Sequence, residues 1–280
     1  MLKIKNNFDL ESTITCGQIF RYKKIEDGYI VILKDRVISL KIESDYIIVE
    51  SNNEENLKDV IYEYFDLNRD YSKIEDILIK KDKNLKDAVI FSGGLKMIKQ
   101  DPFETIISYI ISQNNRASSI ANSLNLLSQK YGKKIVFKGE EFYLFPKIND
   151  FLKISLDDYK ECKVGFRDKY IYDMIKNINE NNFDLNIINE MSGEEALNYL
   201  VQFKGIGNKV ASCILLFAYQ KFDVFPIDTW VKKFMKEEYN IEGEKNIKKF
   251  AINTYGNYSA IAIQYMFHYK RNKKHLLKKS

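Results

Sequence analysis

The sequence predicts an α+β protein, with a small antiparallel sheet region followed by a mostly helical one and a division near residue 100. Three observations carry this reading. Residues 29–35, 36–42 and 45–51 (YIVILKD, RVISLKI and DYIIVES) are β-branched runs set off by turn-like EDG, KD and ESD, the pattern of a meander. From Asn56 the apolar spacing turns helical, beginning with NLKDVIYEYF. Beyond Asp101 the chain reads as helical nearly throughout.

Taken in order, each element has a local reason. The glycine pair at 93–94 punctuates the chain before the helical region. PFETIISYIIS opens with proline, which suits a first helical position. RASSIANSLNLLSQKYG is amphipathic and stops at Gly132, expected to act as a C-cap. DKYIYDMIKNINE, EEALNYLVQF, NKVASCILLFAYQ, DTWVKKFMKEEY and IAIQYMFHYKRN follow with helical period. The end, RNKKHLLKKS, is a basic run expected to be a solvated tail. Two domains are expected, 1–100 and 101–280.

Composition narrows the class. The chain has 280 residues, 45% hydrophobic and 30% charged, enough for a large core and ordinary for a globular protein. MLKIKNNFDL lacks the apolar stretch of a secretory signal, so a cytoplasmic location is expected. Cys16, Cys162 and Cys213 are far apart and only two histidines are present, which excludes a cysteine-ligated zinc or iron–sulfur site. The net charge of +5 permits nucleic-acid binding. Lysine, asparagine, isoleucine and tyrosine are all abundant, as AT-rich coding would produce. The arginines, only Arg21, Arg36, Arg69, Arg116, Arg167 and Arg271, are therefore the more informative cations.

The chemistry centres on FKGIGNKVASCILLFA, residues 203–218. Here two helices meet at a tight turn, where Gly205 and Gly207 permit positive φ and close backbone approach. Asn208 suits the N-cap or first turn of the second helix. Free N–H groups at Gly205, Gly207 and the first turn, Val210 included, would form an anion site that fits a DNA phosphate. Lys209 stands in that first turn, where the helix dipole disfavours a cation and so favours the neutral amine a nucleophile requires. Nineteen residues on, Asp228 precedes another helix in FDVFPIDTWVKKF, as a cap or as a rigid carboxylate beside a reacting centre. An ordinary glycine-turn hairpin, a surface lysine and a plain cap would share this spacing, so these residues alone leave both readings open.

GIGNKVASC with FPIDTWV resembles the helix-hairpin-helix, Gly-Pro-Asp superfamily of base-excision DNA glycosylases. TCGQIFRY, SQNNRASSI, GFRDKY and YSAIAIQYMFHYKR, in that order, resemble the 8-oxoguanine DNA glycosylase/lyase family within it, over nearly the whole chain. The resemblance implies a twisted antiparallel N-terminal sheet, a helix-hairpin-helix glycosylase domain and a cleft between them. It implies duplex DNA as partner, a monomer, and base flipping before reaction. The Lys209 amine would attack C1′ and displace 8-oxoguanine, and the Schiff base would then permit β-elimination and strand nicking. Asp228 would stabilise the positive charge developing on the sugar. This chemistry requires no cofactor and no metal.

Carried over residue by residue, the resemblance assigns further roles. Guanine N7 is an acceptor, whereas 8-oxoguanine bears a hydrogen there, so the Gly17 carbonyl would accept from the lesion and repel the normal base. Cys213 and Phe267 would sandwich the purine, with Pro226 and Gln264 also touching it. Phe166 would wedge into the duplex gap. Arg167 and Asn114 would contact the orphaned cytosine. Three departures stand out. A second cytosine-reading arginine is replaced by Ser119, which predicts weaker partner discrimination unless Arg116, one turn earlier, substitutes. The expected base-contacting glutamine aligns with Ile263, one residue before Gln264. Trp230 stands where animal members have histidine. The alternatives are a glycosylase for another lesion, which Lys209 argues against in the alkylated-base class, and a non-catalytic hairpin module that binds duplex DNA.

Overall fold

The computed structural model describes residues 1–276. Its N-terminal sheet contains β1 (Leu2–Lys5), β2 (Tyr22–Ile25), β3 (Gly28–Ile32), β4 (Val37–Glu43) and β5 (Tyr46–Ser51). All pair antiparallel, in the spatial order β1-β5-β4-β3-β2. The meander expected from sequence is β3–β4–β5, and β1 and β2 extend it at its two edges. Leu40 of β4 lies opposite Tyr29 of β3 and Val49 of β5. These three join Ile4, Phe8, Ile61 and Phe65 in one buried cluster on one face of the sheet.

The other face is partly covered by an element that the helical expectation missed. Strands β6 (Lys134–Phe137) and β7 (Glu140–Tyr143) form a hairpin. Lys138 and Gly139 connect them with φ of +52° and +79°, the double positive φ favoured by two-residue hairpins. Phe137, Phe142 and Leu144 pack on Ile30 and Val37 of the sheet and so cover part of its second face. Gly132, just before this hairpin, ends its helix in an extended conformation rather than as a left-handed cap. Its role is close approach, since an added Cβ would lie 1.9 Å from the Leu144 carbonyl oxygen.

A second, larger core unites the helices. At its centre runs Pro102–Ile111, with proline in the first turn and Asp101 capping the Glu104 N–H at 3.0 Å. Every residue from Phe103 to Ile111 except Glu104 is buried, which explains why its sequence is apolar almost all round. Helices Tyr71–Lys81 and Lys86–Ser92 also bury side chains in this core. They dock on the C-terminal helix, Ser259–Leu276, where Tyr265 donates to Glu75 Oε1 at 2.8 Å. That helix runs through the first residues of the basic run expected to be a tail, while residues 277–280 lie outside the described residues.

Two buried polar residues join the sheet to the helices. Gln18 Nε2 donates to the Lys96 carbonyl at 2.7 Å, and Gln18 Oε1 accepts from the Ile98 N–H at 2.9 Å. Arg21 donates to Glu104 at 3.2 Å and to the carbonyl of Tyr143. Burial raises the Glu104 pKa even though Arg21 opposes the shift. The segment Cys16–Gln18 is thereby fixed against the helical core, and there Gly17 becomes part of one wall of a cavity.

Candidate active site

The glycine hairpin is present as expected. Its first helix, Gly193–Leu200, opens with a reciprocal Ser192–Glu195 capping box. Its second, Asn208–Tyr219, has Gly207 as N-cap, so Asn208 is the first helical residue rather than the cap. Gly205 has φ of +81°, and an added Cβ would sit 2.6 Å from Tyr170 Cβ. Gly207 borders open space, with nothing within 4 Å of an added Cβ. No side chain caps the second helix, so its first N–H groups, around Gly207, Lys209 and Val210, are left without a side-chain acceptor.

Asp228 illustrates the opposite arrangement. Its Oδ1 accepts from the N–H groups of Trp230 and Val231, both at 2.9 Å, and caps the helix Thr229–Tyr239. Burial raises its pKa above the ordinary 3.8, while these two N–H groups, Lys209 and Arg271 pull the other way. The two sequence readings of Asp228 are therefore compatible: a cap held rigidly is also a carboxylate aimed from a fixed position.

Lys209 and Asp228 line a single cavity of about 300 Å³. Gly17, Cys213, Pro226, Gln264 and Phe267 line the same space, so every residue the sequence assigned to lesion binding or catalysis converges there. Burial pushes the Cys213 thiol up to about 12. It is a neutral, polarisable surface suited to packing on a base. Ile263 and Gln264 both line the cavity. Gln264 is buried, and its Nε2 donates to Cys16 Sγ at 3.6 Å, so it turns toward the Cys16–Gly17 corner.

The carbonyls of that corner are partnered unequally. The Cys16 oxygen accepts from Arg271 Nη1 at 3.0 Å. The Gln18 oxygen accepts from Gln100 Nε2 at 3.0 Å and from the Tyr109 hydroxyl at 3.3 Å. Between them, the Gly17 carbonyl receives no donor among the described residues, and Gly17 itself has φ of +95°. It is the one acceptor of this segment left for a ligand.

The opposite-base residues form a separate group. Arg167 is only 6% exposed and donates from Nε to the Gln113 carbonyl at 2.9 Å and from Nη1 to the Val164 carbonyl at 3.1 Å. Its Nη2 reaches the carbonyls of Gln113 and Asn114. Phe166 is 58% exposed and lies under the Arg167 guanidinium at 4.4 Å. A large aromatic presented this openly is informative, because such side chains are usually covered. Asn114 has φ of +46°, and Asn114, Arg116 and Ser119 are all exposed. None of these five lines the cavity. Gln113 ties the group to the hairpin, its Nε2 donating to the Gly205 carbonyl at 2.8 Å.

The sequence reading missed several cavity residues. Phe20, Tyr109 and Phe217 complete the apolar wall, with Tyr109 and Phe217 stacked at 5.8 Å. Arg271, expected at the junction of the last helix and the basic run and given no role, lines the cavity and lies over Phe267 at 5.7 Å. A signal was available: Gln264, Phe267 and Arg271 are three and four residues apart, hence on one helical face.

A glycine hairpin with its lysine and a capping aspartate beside one cavity are the arrangement of a helix-hairpin-helix DNA glycosylase. Comparison with known proteins narrows this. Residues 1–106 match the family described as 8-oxoguanine DNA glycosylase, N-terminal domain. The crystal structure of Clostridium acetobutylicum 8-oxoguanine glycosylase/lyase, in complex with DNA containing cytosine opposite 8-oxoguanine, superposes with a TM-score of 0.91. It is 38% identical and covers 97% of this chain and 94% of its own. A Methanothermobacter thermautotrophicus protein named "Probable N-glycosylase/DNA lyase" is 26% identical, over 95% of this chain and 94% of its own. The Saccharomyces cerevisiae N-glycosylase/DNA lyase is 25% identical, over 86% of this chain and 71% of its own. This chain belongs to the 8-oxoguanine DNA glycosylase/lyase family.

Proposed function

We propose that this 8-oxoguanine DNA glycosylase/lyase excises its base in the cavity between Gly17, Lys209 and Asp228 and then nicks the strand there. The observation that carries the reading is the convergence of a lysine, a rigid carboxylate and one unpaired carbonyl on a space of about 300 Å³. A flipped purine enters it, with Cys213 and Phe267 as its two walls. An 8-oxoguanine N7–H donates to the Gly17 carbonyl, where guanine N7 meets it lone pair to lone pair. Lys209 Nζ bonds to C1′ as the glycosidic bond breaks, and the electron pair leaves with the base. Ionised Asp228 lowers the energy of the positive charge that develops on the sugar. The amine gives one proton to the departing base and another to O4′ as the C1′–O4′ bond opens, which leaves a Schiff base, and loss of a C2′ proton then expels the 3′ phosphate. The uncapped N–H groups around Gly207 and Val210 take a backbone phosphate. Phe166 fills the gap in the stack.

Arg167 and Asn114 face the orphaned base from two loops, which the bonds of Arg167 to the Gln113 and Asn114 carbonyls hold together. Four of the five Arg167 N–H donors are already committed to three carbonyls, so beyond one Nη1 hydrogen it reads that base by giving up bonds it makes in the free protein. Ser119 supplies no charge, so we expect weak discrimination among partner bases. Single-turnover excision opposite C, A, G and T should agree within about tenfold. A preference for cytosine of a hundredfold or more would contradict this assignment. With duplex DNA as substrate, the nucleoid is the expected place of action. Among the described residues no helix is long and apolar enough to cross a membrane.

A further inference from the structure

We propose that Arg271 is a specificity-determining positioning residue, which sets the direction of the Gly17 carbonyl by holding the peptide before it. The inference rests on Gly17 as the reader of the lesion and adds what keeps that reader in place.

A carbonyl that distinguishes a donor from an acceptor works only if it cannot turn away. Gly17 is poorly suited to this by itself, because glycine rotates freely about φ and ψ and here occupies φ of +95°. A rotation that exchanged a carbonyl for a neighbouring N–H would present a donor to N7, the group that guanine accepts and the lesion does not. Both ends of the residue must therefore be held. On the C-terminal side, Gln100 and Tyr109 hold the Gln18 carbonyl. On the N-terminal side, the Cys16 carbonyl is held by Arg271 Nη1 at 3.0 Å. Among the described residues no other side chain bonds that oxygen.

Arg271 is itself well placed to act as a brace. It stands one helical turn beyond Phe267, and its guanidinium lies over the Phe267 ring at 5.7 Å. Nη1 would be 2.8 Å from a Cβ on Gly17, so the guanidinium closes directly over the glycine. Gln264, from the same helical face, reaches Cys16 Sγ at 3.6 Å. The C-terminal helix thus grips residue 16 at its backbone and its side chain, and provides Phe267 as a wall for the base. A planar guanidinium can bond a carbonyl in its plane while covering a ring with its face.

The test compares single-turnover excision of 8-oxoguanine and of guanine from the same duplex, for the wild-type chain and for Arg271→Met. Nicking of an abasic duplex, which has no base to read, serves as the control. The expected result is a fall of about tenfold in the ratio of 8-oxoguanine to guanine excision; abasic nicking reports what losing the Arg271 charge beside Asp228 does to the chemistry itself, a change that both bases share and that cancels in the ratio. If Arg271 merely bound the purine or supported the fold, both excision rates would fall together and the ratio would persist. A preserved ratio overturns the proposal. Should the methionine variant not fold, Arg271→Lys is read in the same way, since an ammonium cannot hold the carbonyl and cover the ring at once. A separate substrate, 7-methyl-8-oxoguanine, keeps O8 but carries no hydrogen at N7. Equal wild-type rates on it and on 8-oxoguanine would refute the Gly17 reading itself, whereas a failure of Arg271 alone leaves that wild-type preference intact.

Discussion

Asp228→Asn separates the structural role of this residue from its chemical one. The helix cap is made by a single oxygen, Oδ1, which accepts two N–H groups at 2.9 Å. Asparagine retains that oxygen and caps as well as aspartate, whereas alanine forfeits about 0.5–2 kcal/mol. The raised pKa fixes the sign of the charge contribution. A carboxyl whose folded pKa lies above 3.8 favours folding most when protonated, and that contribution is lost as pH rises through the folded value. At neutral pH the ionised group is therefore a net cost to the fold, and asparagine should be at least as stable as wild type. Excision should behave in the opposite way. Removing one preorganised electrostatic partner of a transition state costs about 10²–10³ in rate, or roughly 3–4 kcal/mol. Single-turnover excision and thermal unfolding would be measured on wild type, Asp228→Asn and Asp228→Ala. Wild-type excision should also fall on the acid side at a pH above 3.8, a limb that asparagine lacks. If the asparagine variant excises within about threefold of wild type, or unfolds as early as the alanine variant, the argument is wrong.

The remaining predictions concern the frame around the site. Burial lowers the His268 pKa from 6.5 to about 4, and its Nδ1 lies 3.0 Å from Ser92 Oγ. The unfolded chain takes up that proton first, so about 3 kcal/mol of stability present above pH 6.5 should be lost as pH falls toward 4. Denaturant titrations should find this slope much flatter in His268→Gln, and an unchanged slope would exclude His268 as its source. The two hairpin glycines should respond differently to alanine. Gly205→Ala combines φ of +81° with a Cβ 2.6 Å from Tyr170, and should destabilise by more than about 2 kcal/mol. Gly207→Ala meets open space and should unfold within about 1 kcal/mol of wild type, yet bind duplex DNA more weakly if a phosphate approaches there. Equal unfolding midpoints for the two variants would contradict this account of the turn.

How far the sequence could be read depended on whether a feature was local. The meander β3–β5 was legible because its runs are contiguous and their turns short. The Pro102 start and the Asp228 cap were legible because each depends on a residue and its immediate neighbours. β1 was not, since LKIK becomes a strand only by pairing with residues 46–49. β6 and β7 are four residues each, too short for alternation to stand out, and they hold because Phe137 and Phe142 cover Ile30 and Val37. Gly132 was recognised as a stop, but its reason, the nearby Leu144 backbone, lies beyond a local window. In the site, residues carried by contiguous motifs were found. Arg271 was missed because a basic run hides one arginine, and only the docked C-terminal helix turns it inward. The state of Arg167, bonded to carbonyls 53 and 54 residues away, is likewise a property of the packing alone.

The central claim is that Lys209 is the nucleophile, and borohydride trapping tests it most directly. Wild type would be mixed with a duplex containing one 8-oxoguanine, reduced with borohydride, and the covalent adduct digested and mapped by mass spectrometry. The account predicts a single DNA-linked peptide modified at Lys209, and for Lys209→Gln it predicts retained binding with neither adduct nor excision. An adduct on another lysine, or strand cleavage by the purified glutamine variant, would contradict it.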